Sequence, residues 1–371
     1  MTRVVIAMSG GVDSSVAAAL LVRQGYDVIG LMLRLWGEPT ADQRFNRCCT
    51  PDALAQARRV AAQLGIPFYA LDAQDLFKAR IVDFFIESYA AGLTPNPCLE
   101  CNRHIRWTYL LDQARDLGAD YLATGHYARV ETPDGPSGRG YRLLKAVDTH
   151  KDQSYVLSVL GQTQLRQALF PLGHLSKPEV RTLARELELP VADRPESQDL
   201  CFLADGDYRR FLREHAPTVL KPGPIMRRDG TIVGEHQGLA LYTVGQRKGI
   251  GLSTREPLYV LELRPVDNAL VVGGVDELGC DRLVAQRVHW VAGEPPVGPI
   301  RVEVKIRYKA APQPAIVNAL PADRAAVLFD GRLRDITAGQ AAVFYAGDDC
   351  LGGGIISREP YPTKTTATSD S

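Results

Sequence analysis

The N-terminal half of the chain alternates short apolar runs with amphipathic stretches. The apolar runs predict strands buried on both faces, at 3–8, 27–35, 67–71 and 121–124. Between them, apolar residues recur at helical spacing and predict helices from residue 13, over 51–64, over 74–91 and from Asn102, which we assign as an N-cap. Further helical patterns cover 162–169 and 178–187. Because strands and helices alternate, we predict an α/β fold with a parallel sheet covered by helices.

The pattern changes beyond about residue 203. A short basic helix at 207–215 and a turn-rich segment at 221–230 precede closely spaced short strands that continue to 356. Frequent Gly and Pro between short strands favour a small middle domain and a C-terminal β-barrel-like domain. We therefore divide the chain into domains at 1–204, 205–278 and 279–358. The Thr- and Ser-rich tail at 359–371 is predicted to be disordered, and 131–140 is predicted to be an exposed loop.

Charge and composition narrow the class of protein only slightly. Lys and Arg number 43, as do Asp and Glu, so any surface for nucleic acid must be a local patch. No apolar run is long enough for a membrane span or a signal-peptide core, so we predict a cytoplasmic protein without membrane contact. An odd number of cysteines, seven, argues against a disulfide framework and leaves redox, metal-binding, nucleophilic or packing roles.

A glycine pair lies between the first strand and the first helix, in the sequence MSGGVDSS at 8–15. Gly10 and Gly11 would let backbone N–H groups approach an anion at the helix N-terminus. The loop lacks the lysine of a P-loop and the glycine spacing of a dinucleotide fold. Asp13 would repel phosphate unless both bound one cation, so we predict Asp13 as a Mg²⁺ ligand. The alternative is a strand-to-helix turn without a ligand.

Two cysteines are candidates for reacting sulfur. Cys101 follows Cys98 in NPCLECN, at a predicted helix N-terminus and beside Arg103, His104 and Arg106, which favours a thiolate. The rival interpretation, a zinc half-site, lacks a second Cys-x-x-Cys to complete it. Cys201 alone would be a buried core thiol, and it becomes a second candidate sulfur only together with Cys101.

The segment RVEVKIRYK at 301–309 alternates strictly between apolar and charged residues. This pattern predicts a strand with one mostly positive face, which could contact nucleic-acid phosphates. An ordinary solvated strand face is the alternative. Further cations occur at Arg209, Arg210, Arg213, Arg227, Arg228, Arg247 and Lys248.

Taken together, these segments resemble the tRNA-specific 2-thiouridylase family of N-type ATP pyrophosphatases, also called PP-loop enzymes. The resemblance covers nearly the whole chain and rests on AMSGGVDSSVAA, TPNPCLECNRHIRW, ATGHYARV, KDQSYVL, the Cys201 segment, YTVGQRKGIG and KIRYK. It implies an adenine nucleotide hydrolase-like first domain and ATP-dependent 2-thiolation of the wobble uridine (U34) of tRNA. By this resemblance, uridine O2 would be adenylated, pyrophosphate would leave, and sulfur from a protein cysteine persulfide would displace AMP.

The resemblance also implies a role for particular residues. Cys101 would be the nucleophile and Cys201 the persulfide carrier, with a transient disulfide between them. ATP would be bound by Ala7, Met8, Ser9, Gly10, Gly11, Val12, Asp13, Ser14, Leu33 and Gly125. The target base would face Asn96, Pro97 and Cys98. The tRNA would contact His126, Lys151, Asp152, Gln153, Arg307, Tyr308 and Gln340, and a persulfide sulfur-donor protein would be a second partner.

One position departs from the family pattern and leaves the mechanism open. Some members have Asp where this chain has Cys98, and there it is a proposed general base. Cys98, Cys101 and Cys201 could instead hold a [4Fe-4S] cluster, which would supply sulfur by a second route. Two different classes of protein also fit the glycine loop: another PP-loop adenylating enzyme, such as an amidotransferase-linked ligase, and a non-catalytic nucleotide- or RNA-binding module. Cys101 and Cys201 favour sulfur transfer over a simple ligase, and pyrophosphate release from ATP on adding tRNA would exclude a non-catalytic module.

Overall fold

The computed structural model describes residues 1–38, 50–133, 140–195 and 200–362. The strands of its N-terminal part are β1 (Arg3–Ala7), β2 (Asp27–Arg34), β3 (Phe68–Asp72), β4 (Tyr121–Thr124), β5 (Ala128–Glu131), β6 (Arg142–Lys145) and β7 (Ala168–Leu169). The helices are α1 (Val12–Arg23), α2 (Pro51–Leu64), α3 (Gln74–Phe77), α4 (Asp83–Ala90), α5 (Pro97–Glu100), α6 (Leu111–Asp116), α7 (Ser154–Leu157), α8 (Gln162–Leu165), α9 (Lys177–Glu186) and α10 (Tyr208–His215). Two π-helical segments, Lys78–Val82 and Cys101–Leu110, join α3 to α4 and α5 to α6.

The predicted parallel sheet is confirmed. Its strands lie in the order β3-β2-β1-β4-β7, and all the pairings are parallel. Val4, Val5 and Ile6 of β1 are fully buried, as expected for a central strand with helices on both faces. The helix predicted over 162–169 is wrong beyond Leu165, because Ala168 and Leu169 pair with β4 as an edge strand. A two-residue strand is too short to show a periodicity of its own.

The helix that contains Cys101 begins earlier than predicted. Its N-cap is Asn96, whose side-chain oxygen accepts from the backbone N–H of Cys98 (3.1 Å) and Leu99 (3.4 Å). The assignment of Asn102 as N-cap is wrong, because Asn102 lies inside the helix and its amide donates to the Cys98 carbonyl oxygen (3.1 Å). Asparagine followed by proline at the first helical position is a strong start signal, and it outweighs the later asparagine. Cys98 therefore lies in the first turn, with Cys101 one turn further on.

The C-terminal half contains two β domains, as predicted. A four-stranded sheet in the order β10-β11-β8-β9 is built from β8 (Gly223–Met226), β9 (Ile232–His236), β10 (Tyr259–Arg264) and β11 (Ala269–Gly273). A barrel follows, built from β12 (Cys280–Trp290), β13 (Ile300–Lys305), β14 (Gln313–Leu320), β15 (Arg324–Leu333), β16 (Ala341–Ala346) and β17 (Asp349–Ile356). The barrel is closed because β12 pairs with both β15 and β17. The strand predicted over 301–309 ends at Lys305.

A hairpin of the N-terminal domain extends the barrel sheet. β6 pairs with β17, placing Leu143 opposite Cys350 and Leu144 opposite Asp349, and β5 lies outside β6. Arg129 binds Asp348 at 2.7 Å across the same edge. The barrel is therefore fixed against the domain that contains the parallel sheet. Two predicted segments are only partly visible: 134–139 of the exposed loop and 363–371 of the tail lie outside the described residues.

Candidate functional site

The loop between β1 and α1 forms a compact cradle. Gly10 has φ +72°, and a Cβ there would lie 2.3 Å from the Ala53 carbonyl oxygen, so only glycine fits. The Ser9 backbone N–H donates to Ser14 Oγ (3.2 Å), and Ser15 Oγ donates to the Gly11 carbonyl oxygen (2.8 Å). The first backbone N–H groups of an α-helix have no acceptor within the helix, so the start of α1 suits an anion.

Other residues predicted to bind ATP lie around this cradle. Gly125 follows β4 directly behind the loop, where a Cβ would lie 2.8 Å from the Ser14 backbone nitrogen. Ala7 and Leu33 are partly buried and pack against the same apolar cluster beside the sheet. The structure thus brings 7–14, Leu33 and Gly125 together at the carboxyl ends of the parallel strands, where open α/β sheets bind ligands.

A buried lysine contacts the loop, and the sequence pattern did not reveal it. Lys177 Nζ donates to Asp13 Oδ1 at 2.6 Å, and the Tyr127 hydroxyl donates to the same oxygen at 2.8 Å. Lys177 is only 8% exposed and comes from α9, 164 residues further along the chain. Its only sequence signal is the capping motif of Ser176 and Glu179, which marks a helix start but not its neighbour. The loop therefore has a lysine after all, supplied by another helix.

The Lys177 contact bears on whether Asp13 binds a metal ion. Lys177 already supplies a positive charge beside Asp13, which was the role predicted for Mg²⁺. With Lys177 and Tyr127 both bound to Oδ1, Asp13 offers a metal chiefly its other oxygen. Asp13 as a Mg²⁺ ligand accordingly stays a prediction.

The two candidate cysteines meet at one apolar cluster. Cys101 is 8% exposed and packs in a cluster that includes Phe85 and Phe202, and Cys201 lies partly buried at its edge. Leu33 packs against the same cluster, which connects it to the sheet. Cys98 is exposed. Within the described part of the chain no disulfide joins Cys101 to Cys201, so the transient disulfide remains a prediction.

The segment after Cys201 is held by a buried carboxylate at the end of β2. Glu38 is 2% exposed, and it accepts from the Ala204 backbone N–H (2.7 Å) and from Arg210 (2.7 Å). Burial raises the pKa of Glu38, but the hydrogen bonds from Arg210 and Ala204 outweigh it and hold the pKa below its ordinary value. Glu38 thus ties the Cys201 segment to the parallel sheet and to α10. Sequence reasoning missed it, and residues 196–199 just before this segment lie outside the described part.

Gln340, a barrel residue predicted to contact tRNA, binds the backbone just before the Asn96–Cys98 turn. Gln340 Nε2 donates to the carbonyl oxygens of Thr94 (2.9 Å) and Pro95 (3.2 Å). Burial raises the pKa of Tyr308, and the charges of Asp152 and Cys98 raise it further. Arg307 donates to Thr337 Oγ1 at 2.6 Å. The barrel therefore binds the backbone immediately before the turn predicted to face the target base.

The remaining predicted tRNA contacts have partners inside the protein. His126 is buried against Phe170 and hydrogen-bonds Thr124 Oγ1 through Nδ1 (2.7 Å), and burial lowers its pKa to about 3, so the ring is neutral near pH 7. Asp152 is buried and accepts from Ser154 Oγ (2.8 Å). Gln153 Oε1 accepts from a backbone N–H (2.9 Å), and Lys151 is partly exposed. Direct tRNA contact by these four residues stays a prediction.

The parallel sheet, the glycine loop with its imported lysine, and two appended β domains define a PP-loop nucleotide-dependent protein. Residues 2–205, 209–274 and 280–356 match families described as tRNA methyl transferase HUP domain, tRNA methyl transferase PRC-barrel domain and aminomethyltransferase beta-barrel domain. The tRNA-specific 2-thiouridylase MnmA of Chloroflexus aggregans is 49% identical over 96% of this chain and 99% of its own. The enzyme of the same name from Roseiflexus castenholzii is 48% identical over 97% of this chain and 100% of its own. The chain belongs to the tRNA-specific 2-thiouridylase MnmA family.

No helix of the described part could cross a membrane.

Proposed function

We propose that this protein thiolates position 2 of the wobble uridine of tRNA, consuming ATP and releasing AMP and pyrophosphate. The observation that carries the proposal is the convergence of Cys101 and Cys201 on one apolar cluster. That cluster adjoins Leu33 of β2 and lies one helical turn from the Asn96–Cys98 segment. Family membership supports the same reaction.

The reaction proceeds in two stages. Uridine O2 bonds to the α phosphorus of ATP, and pyrophosphate leaves with the electrons of the broken P–O bond. The loop amides and Lys177 stabilise its charge. The terminal persulfide sulfur on Cys201 then adds to C2, and AMP departs. Cys101 thiolate attacks the Cys201 sulfur, and the electrons of the broken S–S bond stay with the sulfur on C2. The products are a C2 thiocarbonyl and a Cys101–Cys201 disulfide.

Partners and metal complete the proposal. A persulfide sulfur-donor protein reloads Cys201 after external thiols reduce the disulfide. Asp13 would hold a Mg²⁺ ion bound with ATP through its second carboxylate oxygen, and such an ion would partly neutralise the charge of the phosphates. The decisive test is mass spectrometry of tRNA from cells that lack the gene and carry it on a plasmid. Restored 2-thiouridine supports the proposal, and its absence with normal protein levels would refute it.

The cluster-based route makes a different prediction for the same protein. If Cys98, Cys101 and Cys201 held a [4Fe-4S] cluster, anaerobically purified protein would contain about four irons per chain. The persulfide route predicts negligible iron and a labile sulfur on Cys201. Under that route we expect Cys98→Ser to leave Cys201 persulfide loading unchanged. If the purified protein contains stoichiometric iron and sulfide and Cys98→Ser does not, the persulfide mechanism is wrong and the cluster supplies the sulfur.

Gly125→Ala is expected to raise the KM for ATP by about tenfold or more. The new Cβ would lie 2.8 Å from the Ser14 backbone nitrogen and must displace the loop. Pyrophosphate release at varied ATP concentrations measures the effect. Gly331→Ala is the matched control, because a Cβ there meets nothing within 4 Å. An unchanged KM in a folded Gly125→Ala protein would remove Gly125 from the ATP site.

Binding of tRNA is expected to weaken with salt, by roughly one logarithmic unit of slope for each phosphate contact. Arg247 and Lys248 are exposed in the middle domain, and their replacement by Ala should flatten the slope. Filter binding between about 50 and 200 mM salt provides the measurement. A slope that is flat for the unmodified protein would rule out a phosphate-binding surface.

A further inference from the structure

Lys305 lies between two tyrosines at the end of β13. Its Nζ is 5.7 Å from the ring centre of Tyr155 and 5.6 Å from that of Tyr308. The two ring centres are 6.1 Å apart. The side chain is therefore held in place by packing against the two rings.

One of these tyrosines, Tyr155, contacts the segment predicted to face the target base. The Asn96 side chain hydrogen-bonds the Tyr155 hydroxyl, which also donates to the Ala341 carbonyl oxygen at 3.0 Å. The charges of Asp152 and Cys98 add to burial in raising the pKa of Tyr308. Lys305 is thus one side chain, Tyr155, away from Asn96 at the start of the Asn96–Cys98 turn.

The chemistry at the uridine requires a proton acceptor. O2 becomes a good nucleophile only when N3 loses its proton, because the N3 electrons then form the C2–N3 double bond as O2 bonds to phosphorus. Later, N3 must regain a proton when sulfur adds to C2. A lysine held beside the base can perform both transfers.

We propose that Lys305 is the general base that takes the uridine N3 proton during adenylation and returns it when sulfur adds. The neutral Nζ accepts the proton and becomes an ammonium as pyrophosphate leaves, and the ammonium gives the proton back to N3 before AMP leaves. This role rests on the proposed thiolation. It fills the function that Asp has been proposed to serve in family members with a carboxylate at the Cys98 position.

The surroundings of Lys305 suit a base. Burial lowers its pKa, Asp152 opposes that shift, and Lys145 reinforces it. The titratable groups that face it are Asp152, Lys145, Tyr155 and Tyr308. Lys145 lies over the Tyr345 ring (4.6 Å) and is 3.7 Å from Glu303, which partly neutralises it. A lowered pKa increases the fraction of neutral amine near pH 7, where a general base works best.

The test compares Lys305→Arg with Lys305→Met in single-turnover AMP formation on tRNA between pH 6 and 9. Arginine keeps the positive charge but cannot accept a proton. We expect both variants to lose about 10² to 10⁴-fold in rate, and Lys305→Arg to keep wild-type tRNA affinity and salt slope. The acid limb of the wild-type pH profile should disappear. Small primary amines should partly rescue Lys305→Ala, with a dependence on amine basicity.

Two controls separate the possible outcomes. Lys309→Arg changes an exposed lysine near the same strand and should behave as wild type. Wild-type formation of 2-thiouridine in parallel reactions checks the proposed function independently. If Lys305→Arg reacts at the wild-type rate, Lys305 is a phosphate-binding cation and the proposal is wrong. If Cys98→Ser rather than Lys305→Arg removes the acid limb, the base is the Cys98 thiolate and the proposal is equally wrong.

Discussion

Lys177→Met should lower ATP-dependent pyrophosphate release by about 10² to 10³-fold. The ammonium is buried and lies 2.6 Å from Asp13 Oδ1 at the entrance of the anion cradle. Removing it takes away a preorganised cation and leaves the Asp13 carboxylate, to which the Tyr127 hydroxyl still donates, without that positive charge, so the carboxylate repels the departing pyrophosphate. Rapid-quench measurement of pyrophosphate with tRNA and saturating ATP isolates this step from sulfur transfer.

A second variant shows whether pyrophosphate release slows because Asp13 repels pyrophosphate or because the Lys177 cation is lost. Lys177→Met combined with Asp13→Asn removes both charges, and we expect it to recover part of the stability lost in the single variant but little of the rate. Lys78→Met is the matched control, because that lysine pairs with Asp83 on an exposed surface. Normal pyrophosphate release by a folded Lys177→Met protein would show that the loop amides suffice alone.

Cys201→Ser should abolish 2-thiouridine while leaving the pyrophosphate release of the adenylation stage measurable. A serine hydroxyl cannot carry a persulfide, but it preserves the shape of the residue at the edge of the apolar cluster. In Cys101→Ser the reaction should stop at a later step, after sulfur has added to C2. This variant should accumulate tRNA attached to Cys201 through a disulfide. Denaturing gels with and without reductant, together with nucleoside mass spectrometry, separate these two failures.

Cys280→Ser serves as the control for thiol loss, because Cys280 is exposed at the start of β12, in the C-terminal barrel. We expect it to retain full thiolation. Restoration of 2-thiouridine by Cys201→Ser in cells would disprove the assignment of Cys201 as sulfur carrier. A Cys101→Ser protein that releases free thiolated tRNA in repeated turnovers would disprove the resolving role of Cys101.

Local signals predicted the parallel sheet and the glycine loop, because a buried strand or a tight turn is encoded within a few consecutive residues. Asn96 and Asn102 show the limit of such signals: both favour a helix start, and only the proline after Asn96 decides between them. Lys177 and Glu38 could not be found this way. Their partners Asp13 and Arg210 lie far along the chain, and the contacts exist only once separate elements have packed. Sequence motifs singled out Cys101 and Cys201 as candidate sulfurs, whereas the charged contacts of Lys177 and Glu38 required the fold.

The pairing of β6 with β17 has a consequence for how the molecule unfolds. Leu143 is fully buried on a strand whose neighbour belongs to the last segment of the chain. The first and last domains should therefore melt in one cooperative calorimetric transition, even though the middle domain separates them in sequence. During synthesis, the β6 edge of the β5–β6 hairpin stays unpaired until β17 has been made. An unpaired strand edge is prone to aggregation. Chains that stop before the barrel should accumulate in inclusion bodies.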